Sequence, residues 1–288
     1  MDTTTLLWTL AATVFAGLQL FISKIVAHER RDAAFNGLMM YGISGLLAFG
    51  ILIFHPWPHV WILAALFALA DGAIHGLGNY IRIKSLNYID SVIYFPINKV
   101  LGPLLVVIAG VVWFADSLTF TQCVGIFLSL TVPLLLLSAV EHHRQKNLPL
   151  GLVLLVQSTV LTSLSVLFGK QALLLNPDVL FVVGVAQLAG TAVSGSILIR
   201  QKGIQTMVSH IDRRDIILGL VAGGIGFISF FALLKAFSTG LVSLVYVIQA
   251  HYILIPIMLS VWWYGEHINM RKAAAVVISC LAILLLYE

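Results

Sequence analysis

The chain has 288 residues and a mass of 31.4 kDa, with hydrophobic residues at 60%, charged residues at 10% and a mean hydropathy of +1.03. An ordinary soluble domain carries about 25% charged residues, so this chain cannot build a water-facing surface, which excludes a soluble enzyme, a disordered chain and a nucleic-acid binder. The net charge of +4 and pI near 9.1 fit the Lys/Arg bias of cytoplasmic loops in a membrane protein, and no nucleic-acid partner is expected.

In chain order, apolar runs predict spans at 5–27, 34–54, 60–82, 91–113, 119–139, 150–174, 178–199, 215–236, 240–264 and 270–287. Each is near the ~20 residues a transmembrane helix needs. Backbone groups in lipid must be satisfied internally, which leaves helices or a closed barrel. The runs are continuously apolar and lack the alternation of barrel strands. The predicted fold is therefore all-α and integral to the membrane, with ten transmembrane helices. Polar clusters mark the breaks: His28 to Asp32, His55 to His59, Glu141 to Asn147, and Arg200 to Asp215. The opening Met1-Asp2-Thr3-Thr4-Thr5 has no basic n-region, so no cleaved signal peptide is expected. Cys123 and Cys280 lie inside apolar runs and read as small buried hydrophobes. The sequence has no Cys/His cluster, no glycine-rich phosphate loop and no nucleophile elbow. No metal, no cofactor and no catalytic residue is expected, and the chain does not read as an enzyme.

The polar stretch Glu141–Pro149 divides the chain into two five-span halves, 1–140 and 150–288, joined by 141–149. A faint repeat appears at a spacing of 150: Gly76 meets Gly226, Trp113 meets Trp263, and Asp116 meets Glu266. At a spacing of 146, Phe21-Ile22-Ser23-Lys24 resembles Leu167-Phe168-Gly169-Lys170. Five is odd, so the second copy sits upside down in the membrane. Inverted repeats place a binding site near the midplane between them and support alternating access.

In span count and duplication the whole chain resembles the drug/metabolite transporter superfamily in its ten-helix, EamA-type form. The most specific part is the Pro-bearing ninth span, which closes in Trp263-Tyr264-Gly265-Glu266 before the apolar Ala273-Ala274-Ala275 run. The first copy departs from the family's Gly-Glu ending with Ala115-Asp116. The resemblance implies a secondary transporter or exporter of a metabolite. It also implies a cavity lined by spans one, three, four, six, eight and nine.

Ionisable groups at membrane depth are costly and mark functional sites by default. Asp71 and His75 lie one turn apart on one face of span three. Lys99, beside Asn98, lies inside span four. His251 lies near the centre of span nine, with Gln249 and Tyr252 close by. A hairpin turning near Asn87 would put His75 and Lys99 at similar depth, each twelve residues from the turn, with Asp71 one turn deeper. Substrate binding is assigned to Lys99, Asn98, His75, Tyr94, Gln249, His251 and Tyr246, and proton coupling to Asp71 and His75. The competing reading is a self-neutralising Asp71–Lys99 ion pair, though buried pairs seldom add net stability. Arg82, Lys84 and Lys235 read as interfacial anchors. Lys24 and Lys170 read either as anchors or as substrate contacts. Asp116 and Glu266 read as helix caps or loop ion pairs. Pro96, Pro103 and Pro256 predict kinks in spans four and nine, Pro133 a bend in span five. Trp57, Trp61, Trp113, Trp262, Trp263 and Tyr264 read as an interfacial belt.

These features predict a secondary transporter of a small polar metabolite, anionic or zwitterionic, coupled to protons or working as an exchanger. The alternative is a flippase for a lipid-linked headgroup. The expected setting is a plasma or bacterial inner membrane. The partners are a small-molecule substrate, the lipid bilayer and protons, and the oligomeric state stays open between monomer and homodimer. Lys and Arg crowd the odd-numbered loops, and only Lys235 appears in the even ones. The positive-inside rule then puts both termini outside, whereas the resemblance implies cytoplasmic termini.

Overall fold

The computed structural model describes residues 1–29, 33–54, 62–89, 91–136, 147–176, 178–202, 212–264 and 270–288. The sequence breaks around 30–32, 55–61, 137–146 and 203–211, with Trp57, Trp61, Gly265 and Glu266, lie outside these residues, as do the side chains of Lys24, Trp263 and Tyr264.

The helices are α1 (Thr3–His28), α2 (Ala33–Leu52), α3 (Ile62–Leu86), α4 (Ser91–Trp113), α5 (Phe120–Leu135), α6 (Leu148–Leu175), α7 (Val179–Lys202) and α8 (Arg213–Thr239). The ninth span is interrupted: α9 (Val242–Gln249) passes through a 3-10 turn (Ala250–Ile253) into α10 (Leu254–Tyr264), and α11 (Met270–Tyr287) is the tenth span. Among the described residues, nine segments are long and apolar enough to cross a membrane, and α5 is a shorter apolar helix. The chain is an all-α, multi-pass integral membrane protein. Local chemistry sets the helix starts. Thr119 and Gln122 form a capping box on α5, Asn147 caps α6 with Pro149 in its first turn, and Asp212 and Asp215 form a second capping box on α8.

The packing follows the repeat. α1 packs along α8 as α6 packs along α3, α2 packs on α8 as α7 packs on α3, and the pairs α2–α7 and α5–α11 close the exchange. Small residues permit the closest approach. A Cβ on Gly72 would stand 1.7 Å from the Ala186 carbonyl oxygen of α7, and one on Gly223 would stand 2.5 Å from Cβ of Ile43 in α2. In lipid, such backbone proximity supplies the packing that the hydrophobic effect does not.

Both termini lie on one face, as an even number of spans requires. The Met1 amino group donates to the Tyr287 carbonyl at 2.9 Å, and Thr3 Oγ1 is 3.1 Å from the Tyr287 hydroxyl. On this terminal face the turn between α8 and α9 is held by three other helices. The Lys170 ammonium of α6 donates to the carbonyls of Phe237 (2.5 Å) and Gly240 (3.1 Å), at the C-terminal end of α8. The Thr5 hydroxyl of α1 is 2.7 Å from that of Thr239. The Asp116 carboxylate, just beyond α4, accepts the Ser243 N–H of α9 at 2.9 Å.

Asp116 is thus a helix cap, but for a helix of the other repeat rather than for α5, the next in sequence. Lys170 is a C-terminal cap, a third role beside the two expected. α4 ends with Ala115 in the left-handed region (φ 55°) and with the Asp116 N–H donating back to the Gly110 carbonyl at 3.0 Å, a helix end closed by a left-handed residue, where glycine is favoured. The family's glycine at this point has a physical basis, because glycine adopts that conformation without steric cost.

Cys123 and Cys280 are exposed, not buried as the sequence suggested. Apolar composition in a membrane chain does not imply burial in the protein, since lipid satisfies an outward-facing side chain equally well. Trp113 and Trp262 stand at span ends, 51% and 78% exposed, as an interfacial belt requires.

Candidate functional site

The site is built where α4 meets the interrupted ninth span. Pro103 removes the donor that would serve the Lys99 carbonyl, and Pro256 the one that would serve Tyr252. α4 absorbs both of its prolines and stays helical. The ninth span instead tightens into its 3-10 turn, where the Leu254 N–H is shared by the His251 and Tyr252 carbonyls. This turn presents His251 and Tyr252 towards α4. Lys99 is only 9% exposed, and its ammonium lies 4.0 Å from the centroid of the Tyr252 ring, a cation–π contact. Lys99 and His251 together line a small cavity with Pro103, Ser129 and Val247. His251 Nδ1 is 3.1 Å from the Ile248 carbonyl, and its Nε2 is buried without a partner. Gln249 is half-buried at the end of α9.

α6 supplies a row of hydroxyls to the other side of α4. The Tyr94 and Ser158 hydroxyls are 2.6 Å apart, Asn98 Nδ2 donates to Thr159 Oγ1 at 2.8 Å, and Ser163 donates to the Gly102 carbonyl at 3.4 Å. The Tyr246 hydroxyl approaches the same glycine, 3.8 Å from where a Cβ would stand. Tyr94, Asn98, Lys99, Tyr246 and His251 therefore gather around α4.

Asp71 and His75 belong to a second group. The Asp71 carboxylate accepts from Ser165 Oγ of α6 at 2.5 Å, and His75 Nδ1 is 3.2 Å from the same oxygen. The Tyr41 ring meets the His75 ring edge-on at 5.9 Å. The other Asp71 oxygen has no partner and faces Gly169, where a Cβ would stand 2.8 Å away. The close α3–α4 hairpin expected from the sequence does not form, since α3 packs along α6 and α7 and barely touches α4. The reason is local. Gly72, Gly76 and Gly78 let α7 and α6 press against α3, and Ser165 then satisfies the carboxylate that would otherwise need Lys99. Asp71 and Lys99 form no ion pair.

Sequence reasoning missed one contributor, the hydroxyl row of α6, visible in hindsight as Ser158, Thr159, Thr162, Ser163 and Ser165 within one apolar span.

The chain is similar to a solved structure described as "Crystal structure of protein", with a TM-score of 0.74 and 16% identity over 99% of this chain and 98% of that one. This likeness concerns the fold. No curated protein matches the chain. The EamA-like transporter family matches twice, over residues 3–138 and again over residues 149–288. Two matches, one to each five-span half and together spanning nearly the whole sequence, make this chain a member of the EamA-like transporter family.

Proposed function

We propose that this membrane protein is a secondary transporter, moving a small polar metabolite, anionic or zwitterionic, by alternating access between its two repeats. The observation that carries the proposal is Lys99 on α4, buried at membrane depth against Tyr252 of the other repeat. A buried ammonium without a structural ion pair is expensive in a bilayer, and substrate charge offsets that cost. Lys99 holds the anionic group. Asn98, Tyr94, Tyr246, Gln249 and His251 offer hydrogen bonds around it. Asp71 and His75, joined through Ser165, form a separate proton-handling station at similar depth. Transport is then coupled to protons or runs as exchange.

The test has two stages. A metabolite library is screened for compounds that raise the melting temperature of the purified protein, because a ligand that binds only the folded state stabilises it by mass action. The hits are then offered to proteoliposomes. Saturable uptake of a stabilising metabolite supports the proposal. Binding with no movement of any hit across the membrane overturns it.

A second reading, a flippase for a lipid-linked headgroup, draws on one observation. An apolar crevice between α10 and α11 is lined by Leu254, Met258, Val261 and Val277, with Lys272 at its margin. Translocation of a fluorescent headgroup-labelled lipid by proteoliposomes that take up no soluble hit would favour it.

A further inference from the structure

We infer that the cavity between α4, α5 and the ninth span selects a hydroxy acid: Lys99 takes the carboxylate, and His251 Nε2 accepts a hydrogen bond from a hydroxyl of the same molecule. This deepens the transporter reading and rests on it. Among the described residues, Lys99 of α4, Ser129 of α5 and His251 of the 3-10 turn are the polar side chains of the cavity lining, and the rest of that lining is apolar.

The hydrogen bonds already made fix what each of the three can offer. His251 Nδ1 is 3.1 Å from the Ile248 carbonyl. A carbonyl only accepts, so Nδ1 carries the proton, and in the neutral ring Nε2 is the acceptor. That Nε2 is buried without a partner, in a residue only 5% exposed. A buried acceptor left unpaired is costly and calls for an explanation. The Ser129 hydroxyl donates to the Gly125 carbonyl at 2.9 Å, so its oxygen has lone pairs left to offer. The Lys99 ammonium is donor only, and it stands over the Tyr252 ring at 4.0 Å. The cavity therefore sets one cation beside two neutral acceptors, and no carboxylate lines it among the described residues.

This pattern decides between the charge classes left open above. A zwitterion adds no net charge, so the Lys99 charge stays uncompensated in the bilayer, and its own ammonium is a second cation in the same cavity. A plain carboxylate balances Lys99 but brings no donor, and Nε2 stays unpaired. A hydroxy acid does both: one negative charge balances Lys99, and its neutral hydroxyl donates to Nε2. A site with such a committed acceptor rejects an analogue that lacks the hydroxyl. His251 is then the residue that determines specificity, and Lys99 the one that supplies charge.

The experiment is thermal unfolding of the purified full chain in detergent, at matched pH and ionic strength. Two series of probes change one substituent each: L-lactate, propionate and L-alanine, then 3-hydroxybutyrate, butyrate and 3-aminobutyrate. They place the hydroxyl on the first and on the second carbon from the carboxylate. In at least one series the hydroxy acid is expected to stabilise wild type at a concentration about tenfold lower than its deoxy partner, and the amino acid to give no shift. His251→Leu is expected to lose that preference, and His251→Gln, which keeps an acceptor, to retain part of it. Lys99→Gln is expected to respond to none of the six. Melting without added probe reports whether each variant folds, and the wild-type series stand as a test without any variant. Equal potency of hydroxy and deoxy acids in both series overturns the inference. So does stronger stabilisation by an amino acid, an undiminished hydroxyl preference in folded His251→Leu, or no response of wild type to any probe. The underlying reading fails separately. Protein stabilised by a hydroxy acid that moves none into proteoliposomes keeps the site and loses the transporter. Uptake of a solute without a hydroxyl that needs Lys99 and is untouched by His251→Leu keeps the transporter and overturns the inference.

Discussion

Asp116 and Ser243 are 127 residues apart, yet the Asp116 carboxylate accepts the Ser243 backbone N–H at 2.9 Å. One repeat therefore caps the helix that opens the ninth span of the other. Gly110 lets the elements meet, since a Cβ there would stand 2.1 Å from Ser243 Oγ and 2.8 Å from the Asp116 carboxylate. With Lys170 on the C-terminal carbonyls of α8, the short turn between α8 and α9 carries a cation at one end and an anion at the other. Each complements the helix dipole it faces. This fastens the terminal face of the molecule.

Removing the cap should loosen that face. Asp116→Ala leaves a buried N–H without its acceptor, and losing an N-cap costs about 0.5–2 kcal/mol. The expected result is a lower melting temperature and faster labelling of a cysteine introduced near the turn, such as Ser238→Cys, in a background without Cys123 and Cys280. Unchanged melting and labelling would show that the contact carries no energy.

Ala115→Gly should act in the opposite direction. Ala115 holds a φ of 55°, a left-handed conformation that costs an L-residue with a Cβ roughly 1–2 kcal/mol. Glycine removes that strain but adds entropy to the unfolded chain. A net gain of about 0.5–1 kcal/mol is expected, read as a higher melting temperature at unchanged transport. A fall in melting temperature would contradict the strain argument.

Asp71 tests coupling apart from binding. If Asp71 carries the proton, Asp71→Asn still binds substrate at Lys99 and still exchanges it downhill, but it no longer concentrates substrate on an imposed pH gradient. Uptake that remains fully driven by the gradient in this variant would remove Asp71 from the proton path.

Orientation is a matter of charge. Both termini share one face, and in the sequence the Lys and Arg residues between spans fall mainly in the odd-numbered loops. The positive-inside rule therefore predicts that a reporter fused after Glu288 lies outside the cytoplasm. A cytoplasmic reporter would refute this orientation while leaving the fold and the site untouched.

The fold was largely legible in the sequence because lipid imposes one simple demand, a run of about twenty apolar residues per crossing. The duplication was legible through Trp113 and Trp263, and the kink of span nine through Pro256. The grouping of the site was less so. Depth along a hairpin placed Asp71 beside Lys99, but it said nothing of which helix would slip between them. That choice rests on Gly72, Gly76 and Gly78, whose missing side chains admit α7 and α6, and on Ser165, one hydroxyl in an apolar span.

Uptake by Lys99→Gln tests the central claim most directly. Wild type and variant are reconstituted at matched density and offered the metabolite that stabilises the wild-type protein. Loss of a charge-assisted contact predicts uptake reduced roughly ten- to a hundredfold, with melting in the absence of substrate near wild type and partial recovery in Lys99→Arg. Uptake by Lys99→Gln at the wild-type rate would contradict the claim that substrate passes between α4 and the ninth span held by this charge.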